Sequence, residues 1–219
     1  MKANENIAID YQRSVNTQNI HIQQEPSTVY LLIKYVIDFI VSLIGLVILS
    51  PVILIFSLLI VLESPGSPFY SQERLGKNGK NFKVLKLRSM RKDAEKNGAK
   101  WAEQNDPRIT KIGLFIRKTR IDELPQLINI LKGEMSLVGP RPERPIFTEK
   151  FEKETPGFKN RLKVRPGLTG WAQVNGGYEI TPKEKLILDI YYINNASLIM
   201  DLKIMIKTIS VVITGSGAR

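Results

Sequence analysis

The chain has 219 residues, a length that fits one domain of moderate size. It contains no cysteine and one histidine, which excludes disulfide bridges, a cysteine nucleophile and thiolate metal sites, and leaves little basis for a histidine metal site. All but three of the 32 Lys and Arg residues, and all but four of the 21 acidic residues, lie from Glu63 onward. This basic part is expected to bind lipid and phosphate rather than nucleic acid, because it lies beside an apolar segment and contains no Arg-rich run.

The N-terminal part divides into a polar tail and an apolar segment. Residues 1–28 are rich in Asn and Gln and are predicted to be a mobile tail, without the pattern of a cleaved signal peptide. Residues 29–62 carry only two charges, Lys34 and Asp38, whose spacing would allow them to pair. A single helix over this segment would be roughly 48 Å long, against a hydrocarbon core of about 30 Å.

Ser50-Pro51 interrupts the apolar segment past its middle. Proline removes a backbone donor and crowds the carbonyl of Val47, and the Ser50 hydroxyl can bond to an earlier carbonyl in compensation. Two topologies compete: a kinked helix that crosses the bilayer, and a re-entrant helix–break–helix that returns to the same face. Hydropathy alone favours the crossing helix.

The remaining elements follow from local patterns. Residues 69–74 and 81–87 alternate as strands around an Asn78-Gly79 turn, and residues 91–100 are predicted to form a surface helix.

Residues 147–163 are predicted to form one helix. Residues 163–171 form a Gly-rich loop ending in Trp171, either a structural turn with a buried tryptophan or, preferred here, a substrate-facing loop. Thr181-Pro-Lys-Glu184 is a capping box, and residues 198–213 form a helix on the bilayer or under the core.

The chain centres on residues 117–143, RKTRIDELPQLINILKGEMSLVGPRPE. Asp122 and Glu123 precede apolar residues at helical spacing, with Pro125 suited to a first turn and Gly133 to a C-terminal cap. A carboxylate at a helix N-terminus is kept ionised by the free N–H groups and the dipole. Surrounded by cations, it can hold a divalent metal or attack phosphorus.

The Asp-Glu-Leu-Pro-Gln motif and the Gly-Pro-Arg-Pro-Glu motif resemble those of the bacterial sugar transferase family, the monotopic phosphoglycosyl transferases. Lys86-Leu-Arg-Ser-Met90 and the stretch at 165–176, RPGLTGWAQVNG, strengthen the resemblance, which runs from about residue 30 to the C-terminus. It implies a mainly helical α/β monotopic membrane protein with interfacial helices. It also implies a re-entrant segment at residues 29–62 broken at Ser50-Pro51, and a catalytic domain at residues 63–219 facing the cytoplasm of a bacterial inner membrane.

The resemblance further implies a reaction. A UDP-sugar would give its sugar 1-phosphate to undecaprenyl phosphate with release of UMP, the first membrane step in assembling an exopolysaccharide or capsule. Asp122 would be the nucleophile that forms an aspartyl–phosphosugar intermediate, and Glu123 would support Mg²⁺ or take a proton, so both are candidate metal ligands. The predicted phosphate-binding cations are Lys86, Arg88, Arg117, Arg141 and Arg165.

Other features limit the prediction. The sequence contains no Walker loop, dinucleotide fingerprint or Asp-x-Asp motif, which argues against ordinary glycosyl transfer. Gly177 stands where relatives often have Arg. The alternatives are a non-catalytic basic scaffold of a polysaccharide-assembly complex and a membrane-anchored nucleic-acid-binding module. The sugar and the oligomeric state are not determined by the sequence.

Overall fold

A computed structural model describes residues 22–94, 96, 106–176 and 180–214, so most of the predicted polar tail lies outside the described residues. The α-helices in these ranges are α1 (Thr28–Glu63), α2 (Lys111–Lys118), α3 (Gln126–Leu131), α4 (Pro145–Glu154), α5 (Trp171–Asn175), α6 (Pro182–Asn194) and α7 (Leu198–Thr214). The strands are β1 (Phe69–Leu75), β2 (Asn81–Leu87), β3 (Ser136–Val138) and β4 (Gly167–Thr169), and 3-10 turns cover Lys77–Gly79, Ile121–Glu123 and Phe158–Lys163. The protein is therefore mainly helical, as predicted.

Helix α1 is the longest element and the one described helix that is long and apolar enough to cross a membrane. It continues through Pro51 as a single 36-residue helix, where we expected two helices separated by a break. The Ser50 hydroxyl donates to the carbonyl of Val47 at 2.9 Å. This carbonyl would otherwise accept the N–H that proline lacks, so the serine compensates the missing bond in the predicted way.

One face of α1 lies against the rest of the protein along the whole helix. The buried residues of this face recur mostly at four-residue spacing: Tyr30, Lys34, Asp38, Ser42, Ile53 and Ile60. Near the N-terminal end, Lys34 pairs with Asp201 of α7 at 2.6 Å. At the C-terminal end, the Glu63 carboxylate accepts hydrogen bonds from the backbone N–H groups of Lys111 and Ile112 at the start of α2. Both ends of α1 therefore contact the same domain.

The β1–β2 hairpin is confirmed. The two strands pair antiparallel, with Phe69 opposite Leu87 and Leu75 opposite Asn81. Asn78 and Gly79 have φ angles of 56° and 75°, the left-handed conformations that an Asn-Gly turn supplies at low cost. Phe82 and Val84 of β2 pack with residues of α3 and α1 in one hydrophobic cluster. The hairpin thus lies against α3, and the two elements meet beside the acidic pair.

A second core surrounds α6. It includes Phe158, Trp171 and the buried face of α6, and it lies next to the parallel pair formed by β3 and β4. Trp171 is 1% exposed, stacks on Tyr191 and lies under the ammonium groups of Lys203 and Lys207. Our preference for a substrate-facing loop is therefore wrong at the tryptophan, and the structural turn with a buried ring is the arrangement observed.

Three other predictions needed correction or lie partly outside the described residues. The segment at 147–163 is two elements, α4 and a 3-10 turn, because Gly157 adopts a φ of 93° between them. Lys34 pairs with Asp201, while Asp38 accepts the N–H of Leu137 at 3.0 Å, so these two do not form the expected ion pair with each other. Residues 92–94 and 96 form turns, and the rest of the helix predicted at 91–100 lies outside the described residues. The capping box at Thr181 and the helix over residues 198–213 are confirmed.

Candidate active site

Asp122 and Glu123 lie on the 3-10 turn that precedes α3. The turn begins after Arg120, whose φ of 60° is left-handed, and Pro125 occupies the cap position of α3. The acidic pair is therefore one turn before the helix, where the sequence pattern had suggested its first turn. Both side chains are buried, at 6% exposure for Asp122 and 7% for Glu123. Two adjacent buried carboxylates require cations close by, because an uncompensated buried charge is strongly unfavourable.

Lys86 and Arg141 supply that charge. The ammonium of Lys86 lies 2.7 Å from Glu123 Oε1 and 3.8 Å from Asp122 Oδ2. Arg141 donates through Nη2 to Glu123 Oε1 at 2.5 Å and through Nη1 to Glu123 Oε2 at 3.4 Å. Glu123 is thus held by two cations, with its two oxygens facing the guanidinium fork. In the described part of the chain, the Asp122 carboxylate accepts no hydrogen bond.

The two carboxyl groups differ in their electrostatics. Burial raises the pKa of Asp122, and the neighbouring Glu123 carboxylate raises it further against the opposing effect of Lys86. Burial also acts to raise the pKa of Glu123, but the charges of Arg141 and Lys86 hold that pKa well below its usual range. The site therefore places Glu123, whose charged form is strongly stabilised, next to Asp122, which is the more basic carboxylate. Environments that separate two neighbouring acids in this way are typical of sites where the acids have different roles.

Asn129 positions β2 relative to the acidic pair. Its Oδ1 accepts the N–H of Leu85 at 3.0 Å, and its Nδ2 donates to the carbonyl of Lys83 at 2.8 Å. The buried amide therefore binds the free edge of β2 as a neighbouring strand would, and it fixes α3 against the segment that carries Lys86. The sequence did not predict this role, because a strand-edge contact 44 residues away leaves no local pattern.

Arg117 approaches the site from α2. The charge of its guanidinium acts on Asp122, and its Nε donates to the hydroxyl of Ser89 at 2.7 Å. Gly113 allows α2 to come this close, since a Cβ at this position would lie 1.9 Å from the carbonyl oxygen of Ser89. The close approach of backbone to backbone thus sets the position from which Arg117 reaches toward the acidic pair.

The structure brings together Lys86, Arg117 and Arg141 around Asp122 and Glu123, and it places Arg88 and Arg165 in other surroundings. Arg88 donates to the carbonyl groups of Ser64 and Pro65, just after α1 ends. Arg165 lies over the ring of Tyr35 and 3.7 Å from Asp38, both on α1. These two arginines therefore bind α1 and the segment that directly follows it, and their predicted role in binding phosphate stays a prediction.

The carboxylate arrangement also bears on a magnesium site. Within the described residues, no group of three or more His, Asp or Glu side chains could hold a metal ion. Glu123 is engaged by Lys86 and Arg141, which leaves Asp122 as the carboxylate of the pair that accepts no hydrogen bond from any described residue. Magnesium in proteins is commonly bound by one or two carboxylates together with substrate phosphates and water. The residues present fit this type of site.

Comparison with known proteins agrees with the motifs. The bacterial sugar transferase family matches residues 29–215, which cover α1 and nearly all of the domain that follows. The chain belongs to this family. The match extends over the acidic pair, both of its cation partners and the amphipathic C-terminal helix.

Individual relatives carry more specific names. A putative undecaprenyl-phosphate N-acetylgalactosaminyl 1-phosphate transferase of Bacillus subtilis (strain 168) is 58% identical over 157 residues, 71% of this chain and 88% of that protein. A UDP-N-acetylgalactosamine-undecaprenyl-phosphate N-acetylgalactosaminephosphotransferase of Aeromonas hydrophila is 46% identical over 197 residues, 89% of this chain and 47% of that protein. A UDP-glucose:undecaprenyl-phosphate glucose-1-phosphate transferase of Escherichia coli (strain K12) is 40% identical over 183 residues, 81% of this chain and 39% of that protein. The chain matches less than half of the length of the latter two.

Proposed function

We propose that the protein transfers a sugar 1-phosphate from a UDP-sugar to undecaprenyl phosphate and releases UMP. The names of the three relatives all combine undecaprenyl phosphate with transfer of a sugar phosphate, and the sugar is N-acetylgalactosamine in two of them and glucose in the third. The observation that carries the proposal is the buried Asp122–Glu123 pair with Lys86 and Arg141 directly against it. Cations that converge on a carboxylate pair suit phosphoryl transfer, in which the protein aligns the attack and neutralises charge.

Asp122 is proposed as the nucleophile. One of its oxygens forms a bond to the sugar-linked phosphorus of the donor while the bond from that phosphorus to the bridging oxygen breaks, and the bridging oxygen leaves with UMP. An oxygen of undecaprenyl phosphate then attacks the same phosphorus, which forms the lipid diphosphate and restores the Asp122 carboxylate. Within the described residues Asp122 accepts no hydrogen bond, and this absence and its raised pKa both favour nucleophilic character, while burial limits access of water to the intermediate.

The surrounding residues have supporting roles in this proposal. Arg141 and Lys86 hold Glu123 as a carboxylate and carry positive charge to the edge of the site, where donor phosphates would lie. Arg117 adds charge on the Asp122 side. Mg²⁺, when bound by Asp122 and the donor diphosphate, would neutralise charge on the phosphate oxygens. Glu123 would orient the donor diphosphate through Lys86 and Arg141, the two cations that it holds in place.

We further propose that α1 is re-entrant and that the domain faces the cytoplasm, where soluble UDP-sugars are made. The contacts of α1 support this: Lys34 near one end binds Asp201, and Glu63 at the other end caps α2. If α1 crossed the bilayer with the domain on one face, one end of the helix would be separated from that domain by about 30 Å of hydrocarbon. Exposed apolar side chains of α7, among them Ile199, Leu202, Ile206 and Ile209, would contact the same face of the bilayer.

The direct test is UMP release. The protein in detergent or nanodiscs is mixed with undecaprenyl phosphate and each of a panel of UDP-sugars, including glucose, galactose and their N-acetylated forms. We expect UMP with one or a few donors, and a lipid-linked sugar diphosphate in equal amount. A scaffold or a nucleic-acid-binding protein would release no UMP with any donor. Asp122→Asn serves as the inactive control.

A further inference from the structure

The loop that carries Arg141 is fixed through its backbone. Each carbonyl from Pro140 to Glu143 accepts a hydrogen bond, two of them from backbone N–H groups: Gly167 donates to Pro140 at 2.9 Å and Leu75 to Glu143 at 3.0 Å. The other two accept from guanidinium groups. Arg74 Nη1 donates to the carbonyl of Pro142 at 3.3 Å, and Arg161 Nη2 donates to the carbonyl of Arg141 itself at 2.8 Å.

Arg161, which donates to the carbonyl of Arg141, is unusual for an arginine because its whole side chain is buried. Its side chain is 1% exposed, and it forms an ion pair with the equally buried Asp189 of α6, with Nη2 at 2.6 Å and Nε at 2.8 Å from Asp189 Oδ2. The guanidinium also lies over the ring of Phe158, 4.9 Å from its centre. Burying an ion pair costs desolvation energy that the pair itself seldom recovers in full, so a purely structural benefit is a weak reason for one here.

We infer that Arg161 and Asp189 are positioning residues for Arg141. Asp189 fixes the Arg161 guanidinium, and Arg161 fixes the peptide carbonyl of Arg141. Since Pro140 and Pro142 flank Arg141 and restrict the backbone on both sides, holding this carbonyl sets the direction in which the Arg141 side chain leaves the loop. That side chain then meets Glu123. Neither Arg161 nor Asp189 touches the acidic pair, so both act through Arg141. The inference rests on the proposed transferase function.

A double-mutant cycle on kcat/KM tests this coupling. Arg161→Lys retains a positive charge for Asp189 but loses the fork that reaches two acceptors. In the native background we expect Arg161→Lys to lower kcat/KM by about 10- to 100-fold, the range found when an outer-shell partner of a metal ligand is removed. In an Arg141→Lys background the same change should cost less than about threefold, because residues that act as a unit are not additive.

Arg108→Lys is a matched control. Arg108 also pairs with a buried aspartate, Asp106, at 2.5 Å and also donates to a backbone carbonyl, that of Ala94, but this carbonyl is outside the loop that carries Arg141. Its effect on kcat/KM should be the same in both backgrounds. Thermal unfolding of every variant confirms that the protein is folded at the assay temperature. If Arg161→Lys is unfolded, Asp189→Asn, which removes the charge at constant shape, replaces it in the same cycle.

The outcomes separate this inference from the proposed function. If the native protein releases no UMP with any donor, the proposed function is wrong. If the native protein is active and Arg161→Lys lowers kcat/KM by the same factor in both backgrounds, Arg161 does not act through Arg141, and only the positioning inference is wrong.

Discussion

The ammonium of Lys34 in α1 lies 2.6 Å from the carboxylate of Asp201 in α7, and both side chains are more than nine-tenths buried. Asp201 also accepts hydrogen bonds from the hydroxyl groups of Tyr30 and Tyr192 at 2.9 and 2.8 Å. The carboxylate therefore connects α7 to α1, through Lys34 and Tyr30, and to α6, through Tyr192. Lys34 is one of two charged residues in the interior of the apolar helix.

We predict that Lys34→Met destabilises the protein by about 3 kcal/mol, because it leaves the Asp201 charge buried without its cation. Adding Asp201→Asn should restore most of that loss, since the amide oxygen can still accept from both tyrosines without carrying a charge. Thermal unfolding in detergent measures both changes. Equal stability of Lys34→Met and the native protein would show that the ion pair contributes nothing.

The proposed intermediate predicts a covalent adduct. Incubation with a competent UDP-sugar in the absence of lipid acceptor should add the mass of one sugar phosphate to the peptide that contains Asp122. Asp122→Asn should lose both the adduct and turnover, while Asp201→Asn, a change at another buried aspartate, should keep the adduct. Absence of an adduct with every active donor, together with kinetics of a ternary complex, would reject the covalent route.

Metal dependence is the third prediction. Because Asp122 and substrate oxygens would together complete the ion's coordination, the metal should bind weakly without donor and be removed easily. EDTA should abolish UMP release, and excess Mg²⁺ should restore it to the level of the untreated protein. Full activity in the presence of excess chelator would contradict the magnesium proposal.

The fourth prediction concerns the guanidinium fork of Arg141, which faces both oxygens of Glu123. Arg141→Lys keeps one charge and loses the second donor, and we expect kcat/KM to fall by about 100-fold. Arg117→Lys should also lower activity, since its Nε bond to Ser89 is lost. Arg91→Lys, at an exposed residue, is the reference. Equal falls in kcat/KM for Arg141→Lys, Arg117→Lys and Arg91→Lys would show that neither Arg141 nor Arg117 depends on its guanidinium fork.

Topology gives the fifth prediction. The native chain has no thiol, so single cysteines at Ser14 and Ser216 report the two ends without background. In intact cells both should resist a membrane-impermeant thiol reagent, and both should react after lysis. Labelling of the Ser14 cysteine from outside would mean that α1 crosses the bilayer.

Replacing Ser50-Pro51 with Ala-Leu tests the cause of the re-entrant course. The change restores the backbone donor of residue 51 and removes the hydroxyl that now serves the Val47 carbonyl. We expect α1 to take a crossing orientation instead, which exposes the Ser14 cysteine outside and lowers activity. Unchanged labelling in this variant would show that the contacts of Lys34 and Glu63, and not the proline, set the topology.

The sequence predicted the features that depend on near neighbours. The Asn78-Gly79 turn, the capping box at Thr181 and the serine bond beside Pro51 are each set within a few residues, and each is confirmed. The grouping of Lys86 and Arg141 with Glu123 was also predicted, but through the resemblance to a family, since the spacing alone does not bring residues on different elements together.

Features that depend on distant partners were missed. Lys34 was paired with Asp38 because they are one helical turn apart, yet the structure offers Lys34 an acceptor on α7 and Asp38 a backbone N–H of β3. Arg165 lies over the ring of Tyr35 in α1, a contact that was not predicted, and its role in binding phosphate stays a prediction. A cation's sequence neighbours do not reveal which buried acceptor it will find, because tertiary packing decides that.

The separation between Lys34 and Asp201 has a consequence for biosynthesis. The two residues are 167 positions apart, which at bacterial or eukaryotic translation rates corresponds to about 10 to 30 s between their syntheses. During this interval the apolar helix is already available to the membrane, while Asp201, the acid that forms the ion pair with its lysine, has not yet been made. The charge must stay near water until α7 emerges, so the final depth of the helix is set only after α7 has been synthesised.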